Sequence, residues 1–197
     1  MATTIEKIKQ LREETAAGMM DVKNALEEAG GDLDGARLVL RERGQALAAK
    51  KSSREASEGL IDAYIHFNGR VGVLVEVNCE TDFVARTPEF REFAHNVALH
   101  VASSQPQPLA VSPEDIPAEE VEEERRIVEK QVAEMGKPEE IASRIVEGRM
   151  QKWVSERALL TQPFVKDLDK TVGDLLQETV QKVGENVVVR RFTRYAI

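Results

Sequence analysis

Histidine and cysteine, which are common ligands of transition metals and common catalytic side chains, are few in this sequence: it contains three histidines and one cysteine. His66, His95 and His100 do not have the spacing of metal ligands. No Cys-x-x-Cys pair and no glycine-rich phosphate loop occur in the chain. We therefore expect neither a metal site nor a cofactor site.

Two acidic residues and the cysteine are the other candidates for catalysis. Glu80 and Asp82 stand two residues apart and could pair for acid–base chemistry, although acidic pairs in turns are more often solvated or act as caps. Cys79 could be a nucleophile only if the fold brought a histidine to it, and a cysteine at a strand end is usually a small buried apolar residue. The sequence predicts a protein that is not an enzyme.

Composition limits the class of protein further. The chain has 197 residues, 42% of them hydrophobic, and a formal net charge of −8. This size predicts one or two domains, and the acidic balance argues against extensive contact with nucleic acid phosphates. No stretch approaches the roughly 18 apolar residues of a membrane span, and the N-terminus lacks the features of a secretion signal. A single cysteine fits a reducing cytosol, so we expect a cytoplasmic protein that does not contact membranes.

The chain divides into a small N-terminal bundle, a linker and a larger domain. Residues 1–45 predict three short helices, the third of them capped by Asp32 and ended by Gly44, and such short helices must pack together to be stable. Residues 46–58 are basic and rich in alanine and serine, which predicts a linker. Residues 59–197 form the predicted core domain, with a helical hairpin at about residues 117–157.

The core domain carries a strong β-hairpin signal. Apolar residues alternate from Leu60 to Phe67 and from Val71 to Val77, and the Asn68-Gly69 pair between them suits a tight turn. Residues 186–195 predict a third strand. Thr87 and Thr171 are the predicted N-caps of two further helices. The fold class is therefore α+β, with a small antiparallel three-stranded sheet packed with helices. Because open sheet edges are a liability, we expect either the sheet or the strand at residues 184–195 to pair with a second copy, which would give a homodimer.

Two groups of residues could contact a partner. Met19 and Met20 are neighbours at a helix start, so both cannot face one small core, and at least one should be exposed. Phe83 follows Asp82 where the second strand ends. Taken alone, Phe83 fits a core position, but an aromatic beside an acid in a turn also fits a protruding anchor.

Several motifs resemble the elongation factor Ts family. The segment from Glu76 to Arg86 is similar to the family signature at every position, and so is the segment from Leu11 to Lys23, except that Ala16 stands where the family usually has glycine. Shorter matches are Ala48 to Lys51, Leu99 to Ala102, Gly136 to Pro138, Glu147 to Met150, Gln162 to Val165 and Gly184 to Arg191. The length resembles the short form, in which the core region is not duplicated.

The resemblance implies a nucleotide exchange factor that binds elongation factor Tu and promotes GDP release by distorting its magnesium and phosphate site. It implies that Phe83 wedges between helices of the GTPase domain while Asp82 competes for polar contacts. It further implies a bundle like a ubiquitin-associated domain that grips the same domain. The residues implied for that grip are Arg12, Met19 and Met20, with Lys51 assisting from the linker. His100 matches a family contact residue, but a packed core histidine is an equal alternative.

Two alternatives of other classes remain open at this point. A plain adaptor would bind a partner without changing its nucleotide release. An enzyme using Cys79 would lose its activity on thiol alkylation.

Overall fold

The computed structural model describes residues 4–15 and 17–197, without the side chain of Gln45. These residues form two compact units. The first draws on the described residues up to Asp62, on Glu76–Ala94 and on Leu175–Val189, and the second on Ala63–Val75, His95–Asp174 and Arg190–Ile197. No described helix has the length and apolarity that a membrane crossing requires.

Three helices form the N-terminal bundle, as predicted: α1 (Thr4–Thr15), α2 (Met19–Glu28) and α3 (Leu33–Lys51). Their core consists of Leu11, Ala17, Val22, Ala25, Leu26, Ala36 and Leu40. Asp32 caps α3, since its carboxylate accepts a hydrogen bond of 2.7 Å from the Gly35 N–H.

The prediction that Gly44 ends the third helix is wrong, because α3 continues to Lys51. Residues 45–51 are Gln, Ala, Leu, Ala, Ala, Lys and Lys, all good helix formers, and they outweigh the cost of about 1 kcal/mol for one interior glycine. The first part of the predicted linker is therefore helical.

The predicted sheet is confirmed, with strands β1 (Glu58–Ile65) and β2 (Val71–Cys79). The last strand, β5 (Val187–Ala196), completes the strand order β1-β2-β5. Gly69 has a φ of 68°, which suits the tight turn between β1 and β2. The core side of β2 carries Val73, Val75, Val77 and Cys79. The apolar alternation of β1, in contrast, lies on its exposed side, at Ile61, Ala63, Ile65 and the following Phe67.

Between β2 and β5, the described chain forms five α-helices and two short strands. A single helical turn, α4 (Asp82–Ala85), is followed by α5 (Pro88–Ser103), which Thr87 caps as predicted. The predicted helical hairpin consists of α6 (Ala118–Ala133) and α7 (Glu139–Arg157), packed through Val128, Val132, Val146 and Met150. A two-stranded sheet of β3 (Pro163–Phe164) and β4 (Asp167–Thr171) was not predicted. Thr171 caps the last helix, α8 (Val172–Val183), as predicted.

Candidate functional site

The segment Thr81 to Arg86, called the tip below, presents an aromatic ring to solvent. Thr81 has extended backbone angles, and its hydroxyl accepts a hydrogen bond of 3.4 Å from the Val84 N–H, which caps α4. Phe83 lies on this single turn and is 77% exposed. Of the two interpretations that the sequence left open for Phe83, the structure excludes the core position.

Asp82 shares the turn with Phe83 but has an intramolecular partner. Its carboxylate accepts a hydrogen bond of 2.6 Å from the Arg86 guanidinium, one helical turn further on, and both side chains are exposed enough to be solvated. An exposed ion pair of this kind contributes only about 0–1 kcal/mol to stability. Asp82 could therefore exchange Arg86 for another polar partner at little cost.

Cys79 is the last residue of β2 and precedes the tip by two residues. It is fully buried, and its thiol donates a hydrogen bond of 3.1 Å to the Thr81 carbonyl. Burial, reinforced by the charge of Glu185, raises the pKa of the Cys79 thiol to about 11. A buried, protonated thiol is a poor nucleophile at neutral pH, which argues against the enzyme alternative.

Residues 184–186, between α8 and β5, join the tip to the end of α3. The Gly184 carbonyl accepts a short hydrogen bond from the Lys51 ammonium. The Glu185 carboxylate accepts two bonds from Thr81, and the Asn186 N–H donates a bond of 2.6 Å to Glu80. This last bond, together with the guanidinium of Arg54 at 3.4 Å, lowers the pKa of Glu80. Glu80 and Thr81, the two residues before Asp82, are thus both hydrogen-bonded to the segment 184–186.

Three predicted contact residues lie on the surface of the bundle. Met19 and Met20 at the start of α2 are both exposed, whereas the sequence predicted exposure of at least one of them. Arg12 in the last turn of α1 is exposed as well. Ile5 and Leu38 are further exposed apolar residues of the bundle. The helical spacing of Ile5, Ile8 and Leu11 puts Ile5 on the apolar face of α1, but Ile5 lies near the start of the helix and stays exposed. Two flexible thioethers in this setting suit contact with a partner.

Lys51 and His100 lie in the interior, unlike the other predicted contact residues. Lys51 is 7% exposed and binds Gly184 as described above. His100 is 0% exposed, and its Nε2 lies 2.9 Å from Oε1 of Gln162 while its Nδ1 accepts a bond from the Val165 N–H. Burial lowers the pKa of His100, so the ring is neutral at pH 7. The structure therefore shows His100 as a packed histidine.

The exposed face of the sheet carries a second apolar surface, in the second compact unit. It consists of Ile65, Phe67, Leu74, Tyr195 and Ile197, called the sheet patch below, and most of these residues line a groove of about 400 Å³. The sequence showed the alternation that produces this patch but not the face on which it lies. Among the described residues, no group of three or more His, Cys, Asp or Glu side chains could hold a metal ion.

Comparison of the sequence with known proteins shows the family. The family model described as Elongation factor TS matches residues 2–180. The chain belongs to the elongation factor Ts family. An elongation factor Ts from Rubrobacter xylanophilus is 76% identical over 100% of both chains. Family members from Coprothermobacter proteolyticus and Alkaliphilus oremlandii are 53% and 56% identical over all of this chain and over 99% and 90% of their own lengths. Membership of the elongation factor Ts family supports a role in translation elongation and nucleotide exchange.

Proposed function

We propose that the protein binds the GTPase domain of elongation factor Tu and promotes GDP release by distorting the magnesium and phosphate site. The observation that carries this proposal is the exposed ring of Phe83 on a capped, hydrogen-bonded turn in a chain of the elongation factor Ts family. No covalent chemistry is involved, so the protein is not an enzyme. Its place in translation supports the cytoplasm as its location.

In this mechanism Phe83 enters between helices of the GTPase domain, and Asp82 leaves Arg86 to compete for polar contacts near the magnesium ion. Reciprocal coupling then governs exchange. If the factor lowers the affinity of elongation factor Tu for GDP, GDP lowers its affinity for the factor by the same ratio. The same reciprocity applies to GTP: if the factor lowers the affinity for GTP as well, binding of GTP releases the factor.

The bundle supplies the affinity that this distortion requires. Met19 and Met20 offer adaptable apolar contacts, and Arg12 offers a charged one. Lys51 acts from inside, since it fixes the end of α3 to Gly184. A direct contact by His100 would require its buried hydrogen bonds to open, so we leave it out of the interface.

The test is the release of fluorescently labelled GDP from purified elongation factor Tu, with and without this protein. We expect acceleration by the native chain and a loss of about 30-fold or more for Phe83→Ala, since truncating a buried anchor costs about 2 kcal/mol or more. Asp82→Ala should lose less, because partly wet polar contacts contribute less than an anchor. Leu168→Ala is the matched control, since Leu168 is 75% exposed and lies outside the tip.

The possible results of this GDP-release measurement distinguish the exchange factor from the adaptor. Unchanged release with Phe83→Ala would contradict the wedge, and a greater loss with Asp82→Ala would overturn the order of the two residues. Binding by the native chain without any change in GDP release would favour the adaptor.

We also propose that two copies associate through the sheet patch as a homodimer. Five apolar residues share this exposed surface, and β1 and β5 are both edge strands. Contiguous apolar surface of this kind marks an association site. Nucleic acid and membrane contact play no part in the proposal.

A further inference from the structure

We propose that Glu185 is a positioning residue, which holds the tip in the orientation that nucleotide exchange requires. This inference rests on the proposed function, because it names the group that keeps Phe83 in place. Glu185 itself lies outside the tip, 104 residues away from Thr81 in the sequence. It therefore acts through Thr81 and not by touching the partner.

The argument begins with the two hydrogen bonds between Glu185 and Thr81. One carboxylate oxygen accepts from the Thr81 N–H at 3.0 Å, and the other accepts from the Thr81 hydroxyl at 2.7 Å. A charged acceptor makes both bonds stronger than neutral ones, and two bonds to one residue fix its orientation as well as its position. Glu185 thus determines where the Thr81 side chain points.

The hydroxyl of Thr81 passes this constraint on to α4. While it donates to Glu185, its oxygen accepts from the Val84 N–H and so caps the turn. A helix of four residues has no stability of its own, since helix nucleation is unfavourable. The conformation that exposes Phe83 therefore depends on its cap, and the cap depends on Glu185.

Glu185 is itself held by its two neighbours. Gly184, with a φ of 76°, accepts the bond from Lys51, and the Asn186 N–H donates to Glu80. Asn186 also donates a side-chain bond of 2.8 Å to the Arg54 carbonyl. The residues on both sides of Glu185 are therefore hydrogen-bonded to other segments, which holds the carboxylate in the position that a positioning residue needs.

The first experiment measures tip order in the protein alone by NMR relaxation. In the native chain we expect backbone order parameters of about 0.85 for residues 82–85, and in Glu185→Ala and Thr81→Val values of about 0.6 or less. Glu129→Gln, an exposed carboxylate on α6, is the control and should leave the tip unchanged. Unchanged order of residues 82–85 in Glu185→Ala would overturn the proposal, whether or not the protein promotes exchange.

The second experiment measures GDP release from elongation factor Tu as a function of the concentration of each variant. Glu185→Ala should lower the maximum release rate about tenfold while the half-saturating concentration changes little, because the bundle contacts remain. The Glu185→Ala/Thr81→Val double variant should be no slower than the slower single variant, and Glu185→Gln should recover part of the rate. Additive losses, or a loss confined to affinity, would overturn the proposal. No acceleration by the native chain would reject the proposed function, and the order parameters would then decide the role of Glu185.

Discussion

Asp82 and Phe83 show what single residues of this chain could and could not reveal from the sequence. The resemblance to the family signature identified both as candidates, but a lone aromatic after a strand is, taken alone, more often a core residue than a surface anchor. The turn that carries Phe83 is capped by Thr81, and Thr81 in turn donates hydrogen bonds to Glu185, which lies far away in the sequence. Local patterns carry no information about such distant partners.

Lys51 and His100 show that local sequence patterns also fail to predict burial. Both match family positions, and a lysine in a predicted linker would ordinarily be exposed. The extension of α3 brings Lys51 to Gly184, and Gln162 meets His100 from 62 residues away. Their burial follows from tertiary contacts and not from residue type.

Cys79 provides a residue-scale prediction about reactivity. Its pKa of about 11 lies above the ordinary value of 9.0, so the thiolate fraction at pH 7 falls about 100-fold on folding. We expect a thiol reagent to label the native protein at least about 100 times more slowly than the protein in urea, with the native rate rising as the pH approaches 11. Equal rates in both states would show an accessible thiol and reopen the enzyme alternative.

At the scale of elements, strongly patterned segments were predictable and weakly patterned ones were not. The hairpin at Asn68-Gly69 and the caps at Asp32, Thr87 and Thr171 follow from local chemistry, and the structure confirms them. Strands β3 and β4 escaped prediction because one has two residues and the other is mostly charged, so neither alternates. The end of α3 was misplaced because one glycine does not outweigh seven helix formers.

Gly59 at the start of β1 is the basis of an element-scale prediction. Its φ is 150°, and an added Cβ would lie 2.2 Å from the Val77 carbonyl oxygen. We expect Gly59→Ala to lower the free energy of unfolding by about 2–4 kcal/mol, since backbone strain and overlap with a neighbouring strand add together. Urea denaturation measures this change.

Gly148 in α7 provides the matched control for that substitution. An added Cβ there meets nothing within 4 Å, so Gly148→Ala should raise the free energy of unfolding by up to about 1 kcal/mol through helix propensity. Equal effects at both positions would contradict the close approach of β1 to β2.

The whole molecule belongs to the α+β class, as the sequence predicted. This class was predictable because a hairpin, a late strand and several amphipathic helices are each visible in the sequence. The face of the sheet that stays exposed did not follow from the pattern. Both sides of β1 carry apolar residues, and only packing in the folded chain decides which side is covered.

The homodimer is a prediction for the whole molecule. Light scattering at micromolar concentration should give a mass twice the 22.0 kDa of one chain. Leu74→Glu places a carboxylate in the sheet patch, and burying it on association would cost several kcal/mol, so this variant should be monomeric. Leu168→Glu is the control and should stay dimeric. A native mass of one chain would reject the proposed dimer.

The continuous helix α3 has a consequence for how the chain tolerates changes in length. The helix begins in the bundle core and ends at Lys51, which is bonded to Gly184. Removing one residue between Gly44 and Lys51 would turn the bundle by about 100° and draw it in by about 1.5 Å relative to that bond. A flexible linker would absorb such a deletion, whereas a continuous helix passes the rotation and the shift on to the bundle. The residue types between Gly44 and Lys51 can therefore vary more freely in evolution than the number of residues.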